Sequence, residues 1–426
     1  MDSRKGTVIA LTAAGLGLAS RKAGSSSGQP PPPPMVDPHF HFLDPVNNPD
    51  QHATLLKAHP DLTAYLPEDY ARDFGRLNVV KSVHMEVIPD DFVLEVEWVA
   101  GMQKSRAPWV QGIVAAADPS QQNFEQVLQK CAAASELLKG IRWILNWDGA
   151  LQPGETPTVE RATWPRTTQN FLDPVDPTFA SNYPLLAKYG LSFDLQCNPA
   201  QLSAAASFFA QHPQIPVVLD HIGSLKLRGG NAADAADFRQ WKRGMAALAA
   251  LPHVCVKLSM VGYSVPGWHT DQAKEAMVRQ AIRTVIKLFG SKRCMFCSNF
   301  PVPSPWSLMI LYTAVAKQGR EQGSTPCLFL GNPAQRTASP IRFCLCSEPL
   351  CRCCLSCPSC LSCLSSSSSS FSSTSSSSLA EQVDLDPEAG LTADFIYGKY
   401  REFVADLSAE EQHDLFYGTA ATFYRL

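Results

Sequence analysis

Residues 36 to 42 are Val36-Asp37-Pro38-His39-Phe40-His41-Phe42, a run in which two histidines alternate with phenylalanines. In a strand successive side chains point to opposite faces, so His39 and His41 share one face and Phe40 takes the other. Two imidazoles leaving the end of a buried strand converge on one point, which is what the mouth of a closed sheet offers.

After that strand, short β-branched or aromatic runs recur: Asn78–Val87, Val110–Ala117, Leu138–Leu145, Leu191–Gln196, Val217–His221, Val254–Leu258 and Cys294–Ser298. With Val36–Phe42 they predict eight strands. Stretches of helical spacing or composition lie between them, among them Phe124–Leu138, Pro199–Gln211, Phe238–Leu251 and Asp271–Phe289. Strands alternating with helices predict a parallel sheet with right-handed crossovers, and eight such units over roughly 270 residues suit a (β/α)8 TIM barrel. An open doubly wound sheet is the structural alternative, but no glycine-rich phosphate loop follows the first strand.

The chain has 426 residues, 45% hydrophobic and 18% charged, with a formal net charge of -3. Those are values of a globular enzyme, and they supply no basic field for nucleic acid. No apolar run is long enough to span a bilayer, so a soluble protein with no membrane partner is expected. Residues 1–34 carry Arg4, Lys5, Arg21, Lys22, a Ser/Gly cluster and the run Pro30–Pro34. They read as a disordered or targeting extension; location is then cytoplasmic, or organellar if the extension acts as an address. The barrel is expected over 35–308. A Cys/Ser-rich low-complexity insertion follows over 309–392, and the barrel domain's helices return over 393–426. Phe395–Leu407 and Ala409–Tyr417 have helical periodicity, with Ser408 and Glu411 spaced as a capping box. Nine of the fourteen cysteines crowd between Cys327 and Cys363. Their repetitive Cys-Leu-Ser setting, without strands or helices around it, reads as spliced-in sequence rather than a metal loop.

Polar residues at the C-terminal ends of the strands carry the chemistry of such barrels. His39 and His41 suit a divalent cation or a substrate carbonyl; the bland alternative is a pair of satisfied structural histidines. The sixth strand delivers Asp220-His221 to the rim. His221 reads as a third metal ligand or carbonyl-polarising group, and Asp220 as a residue that orients a neighbour. Arg142, in Gly140-Ile141-Arg142-Trp143, has the forked donor set that binds a carboxylate, unless it pairs with an acid such as Glu86 or Glu97. His84 and Glu86 share one face of the second strand and are expected to line the mouth, though only one of them need be functional. Gln196 and Lys257 are strand-end polar residues with weaker claims.

His39-x-His41, Asp220-His221-x-Gly223 and Met295-Phe296-Cys297-Ser298-Asn299-Phe300-Pro301-Val302 together resemble the amidohydrolase-2 family. Within it the likeness is to the 2-pyrone-4,6-dicarboxylate lactonase and L-fuconolactonase group. Lys399-Tyr400-Arg401-Glu402-Phe403 and Ala421-Thr422-Phe423-Tyr424-Arg425-Leu426 are similar to that group's ending. The likeness covers about residues 35–307 and 394–426. It implies an aspartate, acting as general base, where this chain has Asn299. A carboxamide neither takes up a proton at neutral pH nor neutralises a cation. The lysine and histidine of binuclear members are also missing from strands four and five. At most one cation is therefore expected, zinc or manganese held by His39, His41 and His221, with catalysis by imidazole alone as the other course. The substrate expected is a small lactone or related cyclic ester bearing a carboxylate or hydroxyls, with Asn299 beside the attacking water. A decarboxylase on the same rim and an inactive barrel are the rival readings. The oligomeric state is open.

Overall fold

In a computed structural model of the chain, the structure describes residues 32–58, 62–147, 169–227, 232–302 and 391–426, with the backbone of 325–329 and 342–346. The expected N-terminal extension and serine tract lie outside the described residues, apart from Pro32, Pro33 and Pro34.

Eight parallel strands form one sheet in chain order: β1 (Met35–Phe40), β2 (Val79–Met85), β3 (Val110–Ala116), β4 (Leu138–Ile144), β5 (Ser192–Gln196), β6 (Val217–Leu219), β7 (Val254–Leu258) and β8 (Cys294–Phe296). The seam between β8 and β1 is bridged just past β8. Asn299 N–H donates to the His39 carbonyl at 2.8 Å and His41 N–H to the Phe300 carbonyl at 2.7 Å. Ser298 tightens the same seam, its N–H and hydroxyl donating to the two Asp37 carboxylate oxygens at 3.0 and 2.7 Å. The sheet is thus the (β/α)8 barrel expected. Its strands are near-continuous apolar runs because helices cover the outer face while side chains fill the inner one. Strand ends expected at Phe42, His221 and Ser298 fall earlier, at Phe40, Leu219 and Phe296. Their last residues leave the ladder to form the rim.

The helix expected over Phe238–Leu251 begins at Ala232, since Ala-Ala-Asp-Ala-Ala-Asp has high helix propensity, and ends at Ala249. Gln272–Phe289 starts on Asp271, whose carboxylate accepts from Ala273 N–H and Lys274 N–H. The Ser408–Glu411 capping box is present. The last expected helix is broken: Ala409–His413 passes through one π turn, Asp414–Gly418, before Thr419–Phe423. Within the stretch expected to lack strands, Thr325–Phe329 pairs antiparallel with Arg342–Cys346.

The chain end plugs the barrel. Ala420 and Tyr424 pack in one apolar cluster with Val36, Val83, Met85, Val114, Val218 and Met295. Arg425 donates to the Lys139 carbonyl, near the start of β4, and to the Gly190 carbonyl, just before β5. The last turn therefore closes the N-terminal end and leaves the C-terminal end for a site.

Candidate active site

His39 and His41 do face the same way. Their ring centroids are 5.0 Å apart, while Phe40 turns to Tyr70 and His84. The short β6 ends before Asp220, and His221 and Ile222 follow in the left-handed region at φ 55° and 46°. This turn brings the His221 ring to 4.7 Å from His39. Ile88, Met260 and Asn299, following β2, β7 and β8, are also left-handed. Such conformations cost free energy in non-glycine residues, and here they gather on the rim that carries the histidines.

Burial drives each imidazole to its neutral form: His41 and His221 fall to about 3, and His39 well below its ordinary value, with Lys257 adding to the effect. His39 Nδ1 lies 3.2 Å from the Lys257 ammonium, which can only donate. Asp220 Oδ1 lies farther from the same nitrogen, at 3.5 Å, so the closer ammonium favours a lone pair on Nδ1 and the proton on Nε2, which is buried and has no hydrogen-bond partner among the described residues. His41 Nδ1–H donates to the Met85 carbonyl at 2.9 Å, and His221 Nδ1 meets the Ser259 hydroxyl at 2.9 Å.

Lys257 is the site's centre of charge. Its Nζ is 2.6 Å from Asp194 Oδ1 and 3.0 Å from Asp220 Oδ1, and all three side chains are fully buried. Burial alone would lower the lysine, but the two carboxylates overcome this and raise it, so it is charged. Burial would raise Asp220, but Lys257 and then His39 hold it well below the usual carboxylate range. Asp194, held by Lys257 and by the Tyr424 hydroxyl, is raised by its burial.

The other expected residues divide. Arg142 is brought to the site, but its Nε donates to Glu86 Oε1 at 2.6 Å and its second terminal nitrogen to the Glu86 carbonyl. Its remaining amino group lies 3.3 Å from Gln196 Oε1 and 3.8 Å from Asp220 Oδ2. The alternative partner named from sequence, Glu86, is thus the one found. His84 does not reach the histidine cluster. Val83 and Met85 take the inner face, so His84 packs against Phe40 and Phe42, and Glu86, past the strand end, turns inward alone. A surface groove of about 440 Å3 lined by Asp90, Asp91, Phe92, Val93, Asn123, Val127 and Lys130 contains none of these residues.

Sequence reading undervalued Lys257, Asp194 and Tyr424. Lys257 interrupts a buried run, Val254-Cys255-Val256-Lys257-Leu258, and Asp194 sits between two apolar residues of β5; both are signals of a buried ion pair. Tyr424 stood only within the family-like ending, and nothing local marked its role.

A family model described as Amidohydrolase matches residues 36–334. The chain belongs to this amidohydrolase family. It is 29% identical over 284 residues, 64% of this chain and 86% of the relative, to an uncharacterized protein y4mH of Sinorhizobium fredii. It is 31% identical over 133 residues to an L-fucono-1,5-lactonase of Burkholderia multivorans, covering 31% of this chain and 44% of that one. A crystal structure of an amidohydrolase from Burkholderia multivorans with bound zinc superposes with a TM-score of 0.55 at 18% identity, over 92% of this chain and 99% of that one. A putative 2-pyrone-4,6-dicarboxylic acid hydrolase from Pseudomonas putida gives 0.50 at 13% identity, over 92% and 97%. These two likenesses show the barrel fold. No described helix is long and apolar enough to cross a membrane.

Among the described residues, the donor set within 4.8 Å is His39, Asp220 and His221, so Asp220 replaces His41 in the expected trio. These residues do not fit a divalent cation well. The Lys257 ammonium already lies against His39 Nδ1 and Asp220, and His41 already has a hydrogen-bond partner at each nitrogen, the Met85 carbonyl and the Asn299 carboxamide. Asn299 adds no negative charge.

Proposed function

We propose that the barrel mouth hydrolyses a small lactone or related cyclic ester, and that hydroxyl-bearing substrates suit it better than carboxylated ones. The observation that carries this is the unpartnered, fully buried Nε2–H of His39, flanked by two neutral imidazoles. A buried donor without a protein partner gains one when a substrate carbonyl arrives, and gains more as that oxygen becomes an oxyanion. Lys257, donating to Nδ1 of the same ring, makes the donor stronger.

Water is the nucleophile. In the tautomer that gives its Nδ1–H to the Ser259 hydroxyl, His221 presents Nε2 as the acceptor for the water's proton. Its depressed basicity keeps it unprotonated at neutral pH but lends the transfer little driving force. The bond to the ring oxygen breaks as the proton passes to the leaving alkoxide, which opens the ring. Hydroxyls are favoured on the substrate because Glu86 already takes two of the donors of Arg142. Arg142 and Gln196 then act as hydrogen-bonding walls. The partial likeness to the Burkholderia L-fucono-1,5-lactonase supports a sugar lactone.

A second reading, an inactive barrel that binds a metabolite, is favoured by Asn299 alone. A panel of aldonolactones and 2-pyrone-4,6-dicarboxylate, followed by acid release with and without added Zn2+ or Mn2+, separates the two. Turnover of aldonolactones lost in His39→Gln supports hydrolysis; no turnover of any member under either condition overturns it.

A further inference from the structure

The barrel interior has two carboxylates, Asp194 and Asp220, that must be neutralised, and one side chain does it for both. Lys257 reaches them from β7 at 2.6 and 3.0 Å, donates to His39 Nδ1 at 3.2 Å, and sits over the Tyr424 ring at 5.5 Å from its centroid. Tyr424, arriving from the chain end, bonds the same Asp194 oxygen from below. Arg142, 3.8 Å from the other oxygen of Asp220, adds a second positive charge.

We propose that the Lys257 ammonium is the resident cation of this site: it takes the position among His39, Asp220 and His221 that a divalent ion would need, and excludes one. A divalent ion there would stand a few ångströms from a buried ammonium held on three sides, and like charges repel strongly where water cannot screen them. Lys257 cannot swing away cheaply, since that would leave Asp194 with no cation and Tyr424 alone as its donor. A protonated lysine is also not a ligand. By donating to Nδ1 the ammonium fixes the tautomer of His39 with its proton on Nε2, where a metal ligand would need a lone pair. Lys257 is in this sense a positioning residue for His39. The inference does not depend on the substrate, so it stands or falls apart from the lactone reading.

The test is metal binding by the full, untagged chain, titrated with Co2+ alone and read as bound equivalents and visible absorption. The cysteines at 327–363 are common to every variant and cancel in differences. Lys257→Met alone would strand two buried carboxylates, so the informative variant is Asp194→Leu/Lys257→Met, which removes an ion pair as a unit. The expected result is that this double variant binds about one equivalent more Co2+ than wild type, at least about 100-fold more tightly than any histidine-dependent binding in wild type. Adding His221→Ala should remove the extra equivalent. No gain in the double variant overturns the proposal. So does a wild-type chain that binds one equivalent which His221→Ala abolishes, a comparison that needs no change at Lys257.

Discussion

Asn299 keeps its carboxamide 3.2 Å from His41 Nε2, on the ring whose Nδ1–H is taken by the Met85 carbonyl at 2.9 Å. A neutral imidazole has one proton, and Met85 can only accept it, so Nε2 is a lone pair. Asn299 Oδ1 stands at that nitrogen, and a half turn of the amide, which exchanges its oxygen and nitrogen, lets its N–H donate to His41 and frees its oxygen for water. The residue is well placed to orient water and unable to take a proton from it.

Asn299→Asp follows directly. A carboxylate at this place accepts the water's proton far better than His221, whose burial keeps it a weak base. Lactone turnover should rise by about 10- to 100-fold, with a new loss of activity at low pH as the carboxyl protonates. Initial rates from pH 5 to 8 measure it. Unchanged rates would show that proton transfer does not limit this site.

The pair Arg142–Glu86 gives a second expectation. Both side chains are buried, and Arg142→Met would leave Glu86 without its cation at a cost of about 3 to 5 kcal/mol. Removing both, in Glu86→Leu/Arg142→Met, should return most of that stability, as measured by urea unfolding. If Arg142→Met instead leaves stability intact while raising KM for every substrate, its main role is substrate binding.

The reach of the sequence can be judged from these residues. His39, His41 and His221 were legible because alternation along β1 and an Asp-His pair ending an apolar strand are local patterns, and closing the barrel then brings them together. Arg142 was legible as a buried cation, but its partner lies two strands away, so periodicity offered both Glu86 and Glu97. His84 was misplaced because the alternation of β2 stops at Met85: the face His84 shares within the strand is the outer one, and Glu86 leaves it at the rim. Tyr424 was legible only as part of a family-like ending, not as a partner of Asp194. Its role depends on the chain end entering the barrel, and no spacing within the last helices encodes that.

Tyr424→Phe tests this plug. It removes one donor from buried Asp194 without changing shape, costing about 1 to 3 kcal/mol of stability. Because Asp194 holds Lys257 and Lys257 holds His39, kcat should fall by about 10-fold with KM little changed, as one lost positioning hydrogen bond is worth. An equal loss in Tyr70→Phe, which touches Asp37 at the β8–β1 seam, would reduce the effect to general loosening.

Acid should loosen the fold through its neutral histidines, and His84 isolates the effect outside the catalytic cluster. Its ring is fully buried against Phe40 and Phe42, with one nitrogen 3.5 Å from the Phe42 carbonyl, and burial lowers it to about 3. Between pH 6.5 and about 3 the unfolded chain binds a proton at this residue and the folded chain does not. Its contribution is therefore complete above pH 6.5 and is lost as pH falls through that window, by about 1.4 kcal/mol per pH unit. His41 and His221 act in the same direction over the same range. His84→Phe, which suits the aromatic wall, should reduce the slope of unfolding free energy against pH by one proton between pH 6 and 4.5. An unchanged slope in denaturant titrations would mean that His84 takes up its proton in the folded state.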